Sequence, residues 1–148
     1  MVTALMYVSR SCLPKAAAAF EVDRIVEHSV ARNQTLEIRG ALIFTERHFA
    51  QVIEGPKQSI DALMASILRD RRHADVSILS EAAIDDYRFP NWTLAYRGGA
   101  SYMDQQVAAL MRPQDADRQD EAARLYFLIR KLAIESQDGG PIGRPSPQ

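Results

Sequence analysis

Apolar and polar positions along this chain alternate with two different periods, and the switches between them mark out the elements. In residues 2–9 the alternation places Leu5, Tyr7 and Ser9 on one face and Ala4, Met6 and Val8 on the other, the period of a strand. Residues 17–32 instead repeat at helical spacing, with Val22, Ile25, Val26, Ser29 and Val30 on one side. Two more strands follow at 38–45 and 48–54, separated only by Glu46 and Arg47, which is hairpin spacing without the favoured turn residues. The second of these is closed by Gly55-Pro56. A helix over 57–69 presents Ile60, Leu63, Met64 and Ile67, and strands are expected over 75–84 and 91–97. In the last strand Trp92, Leu94 and Tyr96 fall on one face.

The order is β-α-β-β-α-β-β, the ferredoxin-like α+β arrangement with one added strand. Right-handed crossovers put both helices on one face of the sheet, leaving the other face bare. Helices expected over 102–111 and 117–136 can cover it. The second carries Ala122, Leu125, Tyr126, Ile129, Leu132 and Ala133 in phase, and Phe127 and Leu128 widen its apolar surface beyond what one contact needs. The chain therefore divides into a sheet domain over 1–97, a helical extension over 98–136 and a Gly/Pro-rich tail over 137–148 that is expected to be disordered.

Polar residues on the core faces are the candidate chemistry. Phe49, Gln51 and Ile53 share a strand face, so Gln51 stands where a hydrophobe is expected. A buried primary amide carries two donor hydrogens and two acceptor lone pairs, and leaving them empty is costly. Another core polar group or a heteroatom-rich ligand must meet it, and Tyr7 is placed to do so if its strand is the neighbour. The phase of the first helix runs on to Asn33, and that of the second to Asp70. Taken singly, Asn33 reads as a helix cap, Asp70 as a solvated loop residue and Trp92 as core.

Composition adds boundaries. The chain has 148 residues, 47% hydrophobic and 25% charged, with a net charge of −1, an ordinary balance for one domain with a core. Without a basic block, no nucleic-acid partner is expected. The single cysteine, Cys12, permits neither an internal disulfide nor a cysteine cluster for metal. No window reaches the ~20 apolar residues of a membrane span and no signal sequence is evident, so a soluble, cytoplasmic protein without a membrane partner is expected.

These segments resemble the BLUF family, the sensors of blue light using flavin, over roughly residues 1–97. The resemblance rests on Tyr7-x-Ser9, Asn33 ahead of Glu37-Ile38-Arg39-Gly40, Phe49-x-Gln51-Val52-Ile53-Glu54-Gly55-Pro56, Asp70-x-Arg72-His73 and Arg88-Phe89-x-x-Trp92. The chain departs from the family in carrying Glu37 and Arg39 where Gly and Thr are usual. It also has Arg32 where some members have Asn, Ser66 where some have a basic residue, and Leu94 where Met is usual.

The resemblance implies a flavin, FAD with FMN as the alternative, held by the 1–97 domain. It makes Tyr7 and Gln51 the photoactive pair. Tyr7, Ser9, Ile25, Ser29, Asn33, Phe49, Gln51, Ile67, Asp70, Arg72 and His73 become cofactor-binding candidates, and Trp92 and Leu94 candidates for carrying the signal onward. Residues after 97 are too few for an enzymatic output domain, so the expected protein is a receptor and not an enzyme. It is expected to act on a separate effector protein and to form a homo-oligomer. The competing readings are a light-independent ferredoxin-like ligand-binding or interaction module, and a small flavoenzyme.

Overall fold

In a computed structural model of the chain, residues 1–111 and 118–139 are described, with side chains up to residue 135. Five strands form one sheet: β1 (Val2–Ser11), β2 (Arg39–Phe44), β3 (His48–Gly55), β4 (His73–Ile84) and β5 (Trp92–Arg97), in the order β4-β1-β3-β2-β5. All neighbours are antiparallel except β2 and β5, which run parallel. Among the described residues four α-helices accompany them: α1 (Ala18–Thr35), α2 (Lys57–Arg69), α3 (Ser101–Ala109) and α4 (Arg118–Gly139). This is the expected ferredoxin-like α+β sheet with its fifth strand at the edge beside β2.

Strand alternation sorts side chains into two cores. Leu5, Tyr7, Leu42, Phe44, Phe49 and Ile53 pack with Val22, Ile60, Leu63 and Ile67 from α1 and α2. Met6, Val8, Ala41, Ile43, Ala50 and Val52 pack with Met103, Val107, Leu125 and Ile129 from α3 and α4. Because both faces are covered, β2 and β3 are buried along their length except at their first residues, Arg39 and His48. The carboxylate of Asp104 fastens α3 to the β2–β3 hairpin. It accepts from Thr45 Oγ1 at 2.8 Å and lies 2.8 Å from His48 Nδ1.

The structure changes three local expectations. Tyr96 does not share a face with Trp92 and Leu94. Leu42 pairs with Leu94 but Ile43 pairs with Tyr96, so Ala95 is an extra residue, a β-bulge that sends Tyr96 into the α3/α4 core. Val30 is 47% exposed, since α1 turns it outward while Ser29 and Asn33 go inward. The last helix continues three residues past its expected end at 136. The remainder of the expected disordered tail, from 140 onward, lies outside the described residues.

The end of α1 holds a compensated strain. The Ile38 N–H donates to Asn33 O at 2.8 Å and the Glu37 N–H to Gln34 O at 3.2 Å, a Schellman closure that requires a left-handed residue at Glu37. Glu37 adopts φ 59°, where glycine is the residue without a steric cost. Gly40 is different. At its φ of +141° a Cβ would stand 1.9 Å from the Val52 carbonyl oxygen, so no side chain is tolerated there.

Candidate functional site

The register places the two polar core residues face to face. Tyr7 on β1 pairs directly with Gln51 on β3. Gln51 Nε2 donates to Tyr7 Oη at 2.6 Å, and Trp92 Nε1 donates to Gln51 Oε1 at 2.9 Å. The amide is thus held at both ends by buried aromatic groups. Trp92 pairs with Gly40, which has no side chain to stand between the indole and β3. Burial pushes the Tyr7 hydroxyl well above the ordinary phenol range, against smaller lowering influences from Gln51 and the Arg32 charge. Tyr7 therefore keeps its proton at any physiological pH.

Beside this trio opens a cavity of about 680 Å³ between α1 and α2, in the size range of small-molecule sites. Tyr7, Leu42, Phe49, Gln51 and Trp92 line its sheet side, and Ile25, Ser29, Ile67, Asp70, Arg72 and His73 complete the predicted wall. Ile25 comes from α1 and Ile67 from α2, so aliphatic side chains reach it from both helices. Asp70 accepts from Arg72 through Nε, Nη2 and the backbone N–H at 2.7–3.0 Å. Burial alone would raise the Asp70 carboxyl, but these bonds and the Arg72 charge outweigh it and hold it below the usual carboxylate range. His73 Nδ1 lies 2.8 Å from Ser9 Oγ, and burial pushes its imidazole down to about 4, so it is neutral. Ser9 acts on the cavity through His73 and is not on its wall.

Asn33 is brought close but not onto the same wall. It is fully buried and lines a smaller cavity of about 520 Å³ with Ile38, Tyr87 and Pro90, and Trp92 borders both spaces. Asn33 is the third residue from the end of α1 and not its cap. Its Oδ1 accepts from Arg32 Nε at 3.3 Å, while its Nδ2 has no protein partner. A buried amide nitrogen without an acceptor is a position that a ligand carbonyl fills. Leu94 is buried in the α1/α2 core. In register, Leu42 stands between it and Gln51.

Sequence reasoning missed several wall residues: Glu21, Arg24, Glu27 and His28 on α1, with Arg32 and Ser66 noted only as departures from a motif. Polar residues on a helix look like a solvated face until the neighbouring helix is placed. Arg24, Arg32 and Arg72 give the cavity three guanidinium groups, a donor set suited to phosphate. Glu54 was also missed as a buried group. Its Oε1 accepts from the backbone N–H groups of Arg88 and Phe89 at 2.8 and 3.1 Å, and its Oε2 has no partner. Burial raises its carboxyl above the usual value despite those bonds. The signal was its position in phase with Val52 on an otherwise apolar strand face. Among the described residues no group of His, Cys, Asp and Glu is arranged to hold a metal ion, and no helix is long and apolar enough to cross a membrane.

Comparison with known proteins gives a consistent answer. Residues 2–95 match the family model described as BLUF, sensors of blue-light using FAD. The photoactivated adenylate cyclase subunit beta of Euglena longa is 33% identical over 93 residues, which is 62% of this chain but 11% of that protein. The blue light- and temperature-regulated antirepressor BluF of Escherichia coli (strain K12) is 29% identical over 76 residues, 51% of this chain and 18% of that one. The chain thus aligns with only a small part of these curated relatives. Among solved structures, the dark state of the BLUF protein BlrB superposes with a TM-score of 0.69 at 30% identity, covering 88% of this chain and 96% of that chain.

Proposed function

This chain belongs to the BLUF family of blue-light sensors using flavin, and from that premise we propose that Tyr7 and Gln51 are its photoactive pair and that its signal passes to a separate protein. The observation that carries the reading is the buried sequence Tyr7 Oη, Gln51 amide, Trp92 Nε1 along one side of the cavity. The residues present fit a flavin. The cavity has the size, Ile25 and Ile67 offer aliphatic contact, Asn33 Nδ2 lacks an acceptor, and three arginines suit the phosphates of FAD, or the one of FMN. Ser29, Asp70 and Arg72 would hold it from the cavity wall, and Asn33 would reach it from the adjoining space that Trp92 also borders.

A bound flavin supplies light absorption and an electron acceptor. Tyr7, protonated and buried, would give an electron to that acceptor and the Oη proton along the Gln51 amide, and both would return to Oη, so no net oxidation remains and only the hydrogen bonds differ. Gln51 Nε2 touches that oxygen, so a change at Oη reaches the amide first. Turning the amide exchanges its donor and acceptor ends, which alters what Trp92 and the cavity meet. Trp92 then carries the change along β5. His73, held neutral, donates or accepts at Ser9 without adding charge. No residue is asked to perform turnover; the output is a change of packing that biases a partner.

The test is one absorption spectrum of the flavin-loaded protein before and after blue light. A reversible red shift is expected. Tyr7→Phe and Gln51→Leu should each retain flavin and lose the shift, the first by removing the electron and proton donor, the second by removing the amide that switches. A normal shift in either variant overturns the assignment of the pair. A colourless chain would favour the light-independent module, and bleaching with turnover of a reductant would favour a flavoenzyme.

A further inference from the structure

Glu54 is a fully buried carboxyl that takes no part in the cavity wall. Ala50 and Val52, which precede it in phase, face the α3/α4 layer, and Glu54 continues their face. An apolar residue would fill that layer without the desolvation a carboxyl suffers there. The carboxyl instead accepts from the N–H groups of Arg88 and Phe89 at 2.8 and 3.1 Å, both on Oε1. Oε2 has no partner, so the hydrogen bonding of the group is directed at that loop.

The loop is the approach to Trp92. Phe89 is buried in the α3/α4 layer and meets Tyr126 edge to face at 6.2 Å, and Arg130 Nε donates to Arg88 O at 3.4 Å. Two residues further on, Asn91 O accepts from the Gly40 N–H at 3.0 Å, and β5 begins. Trp92 is the first residue of an edge strand, and its register partner Gly40 has no side chain to pack against it. The indole is therefore steered by the chain that enters before it. Glu54 stands three residues from Gln51 on β3, about 10 Å along the strand and on the opposite face. One strand thus fixes both sides of the Trp92–Gln51 bond, the acceptor directly and the donor through Glu54.

We propose that Glu54 is a positioning residue of the switch: by holding the backbone of Arg88 and Phe89 it keeps the indole N–H of Trp92 on the Gln51 amide. This role extends the proposal above and rests on it for its consequence, but the contact itself is read in the dark and needs no photocycle.

The chain has a single tryptophan, so a nitrogen–proton correlation spectrum of the flavin-loaded full chain holds one indole peak. Glu54→Met keeps the length of the side chain and removes the acceptor. Its indole peak should move upfield in the proton dimension, as a donor does on losing its acceptor, or divide in two. The indole proton should also exchange with solvent at least about tenfold faster, because two buried loop donors are left unpaired. Glu54→Gln retains an oxygen for both N–H groups and should leave peak and exchange at the parent values. Val107→Ala empties part of the same layer from α3, and should lower the unfolding midpoint in urea without moving the peak. If Glu54→Met does not fold, Glu54→Asp, which withdraws the oxygens by one methylene, should move the peak in the same direction. A peak at the parent position in the acceptor-removing variant overturns the role. So does a Glu54→Gln or Val107→Ala peak displaced as far as that of Glu54→Met. The blue-light shift is recorded on the same samples. A parent that reddens while the Glu54 variants leave the peak in place removes Glu54 alone. A parent that does not redden removes the photoactive reading instead, with the indole peak still reporting whether Glu54 places Trp92.

Discussion

Trp92→Phe tests how the Gln51 amide is oriented. Tyr7 Oη both donates and accepts, so it can satisfy either end of the amide, whereas the indole N–H only donates. Of the two aromatic partners, Trp92 alone discriminates between the amide and its end-for-end flip. In the flipped form Gln51 Nε2 faces Trp92 Nε1, and a buried donor is left without an acceptor at about 1–3 kcal/mol. With ~2 kcal/mol, the flipped form is disfavoured roughly thirtyfold, a population of a few per cent. Removing the indole nitrogen brings the two forms towards parity, apart from any bias from the cofactor edge. The flavin-loaded Trp92→Phe protein is therefore expected to have a dark absorption band already displaced towards its illuminated position. Its light-minus-dark amplitude should be reduced by up to about half. Difference spectroscopy before and after blue light reads both. A dark band and amplitude equal to the parent would refute the reasoning, and would favour a route in which the amide changes tautomer without turning.

Asn33→Ala and Asp70→Ala should lower the flavin recovered per protein, because each leaves polar edges of a buried ligand unpaired at ~1–3 kcal/mol; undiminished occupancy in both removes them from the site. His73 is depressed from 6.5 to about 4, so the folded chain resists a proton that the unfolded chain accepts. Stability is then full above pH 6.5 and falls by on the order of 2–3 kcal/mol as the pH drops to about 4. Urea unfolding across that window should show the slope, and His73→Gln should flatten it. Glu37→Gly should stabilise the chain by about 0.5–1 kcal/mol by relieving the left-handed backbone at the end of α1; a loss of stability in the same assay would mean that the Glu37 side chain contributes more than its strain costs.

Much of this architecture was legible because each half-buried strand writes its two faces directly into the sequence. Leu5, Tyr7 and Ser9, or Phe49, Gln51 and Ile53, needed only a period of two. The bounds of α2 followed from Gly55-Pro56 before it and the end of the apolar phase after Ile67. Asn33 was reached by extending the phase of α1, and its amide nitrogen is buried without a protein partner. Other features depend on contacts no local pattern contains. The indole of Trp92 meets an amide 41 positions away, and nothing near either residue announces it. Alternation in β5 pointed Tyr96 the wrong way because one inserted residue inverts everything beyond it. Arg24, Glu27 and His28 looked like solvent-facing polar residues because the helix that turns their surroundings into a cavity lies some forty residues further on. Glu54 kept the period of its strand, and only the fold reveals that its partners are backbone groups of the loop between β4 and β5.

The bulge at Ala95 makes β5 a crankshaft. Upstream of it Trp92 and Leu94 sit in one layer, and downstream Tyr96 sits in the other. The strand is an edge, paired only with β2, so it can slide along its axis against a single set of hydrogen bonds. In the proposed switch, a push on the indole from one side of the sheet would displace the phenol ring on the opposite side. The sheet between them need not bend or open. With strict alternation Tyr96 would stand with Trp92 and Leu94, and β5 would offer the far layer no aromatic ring at this point. One surplus alanine puts a phenol ring there, in the strand whose first residue touches the amide.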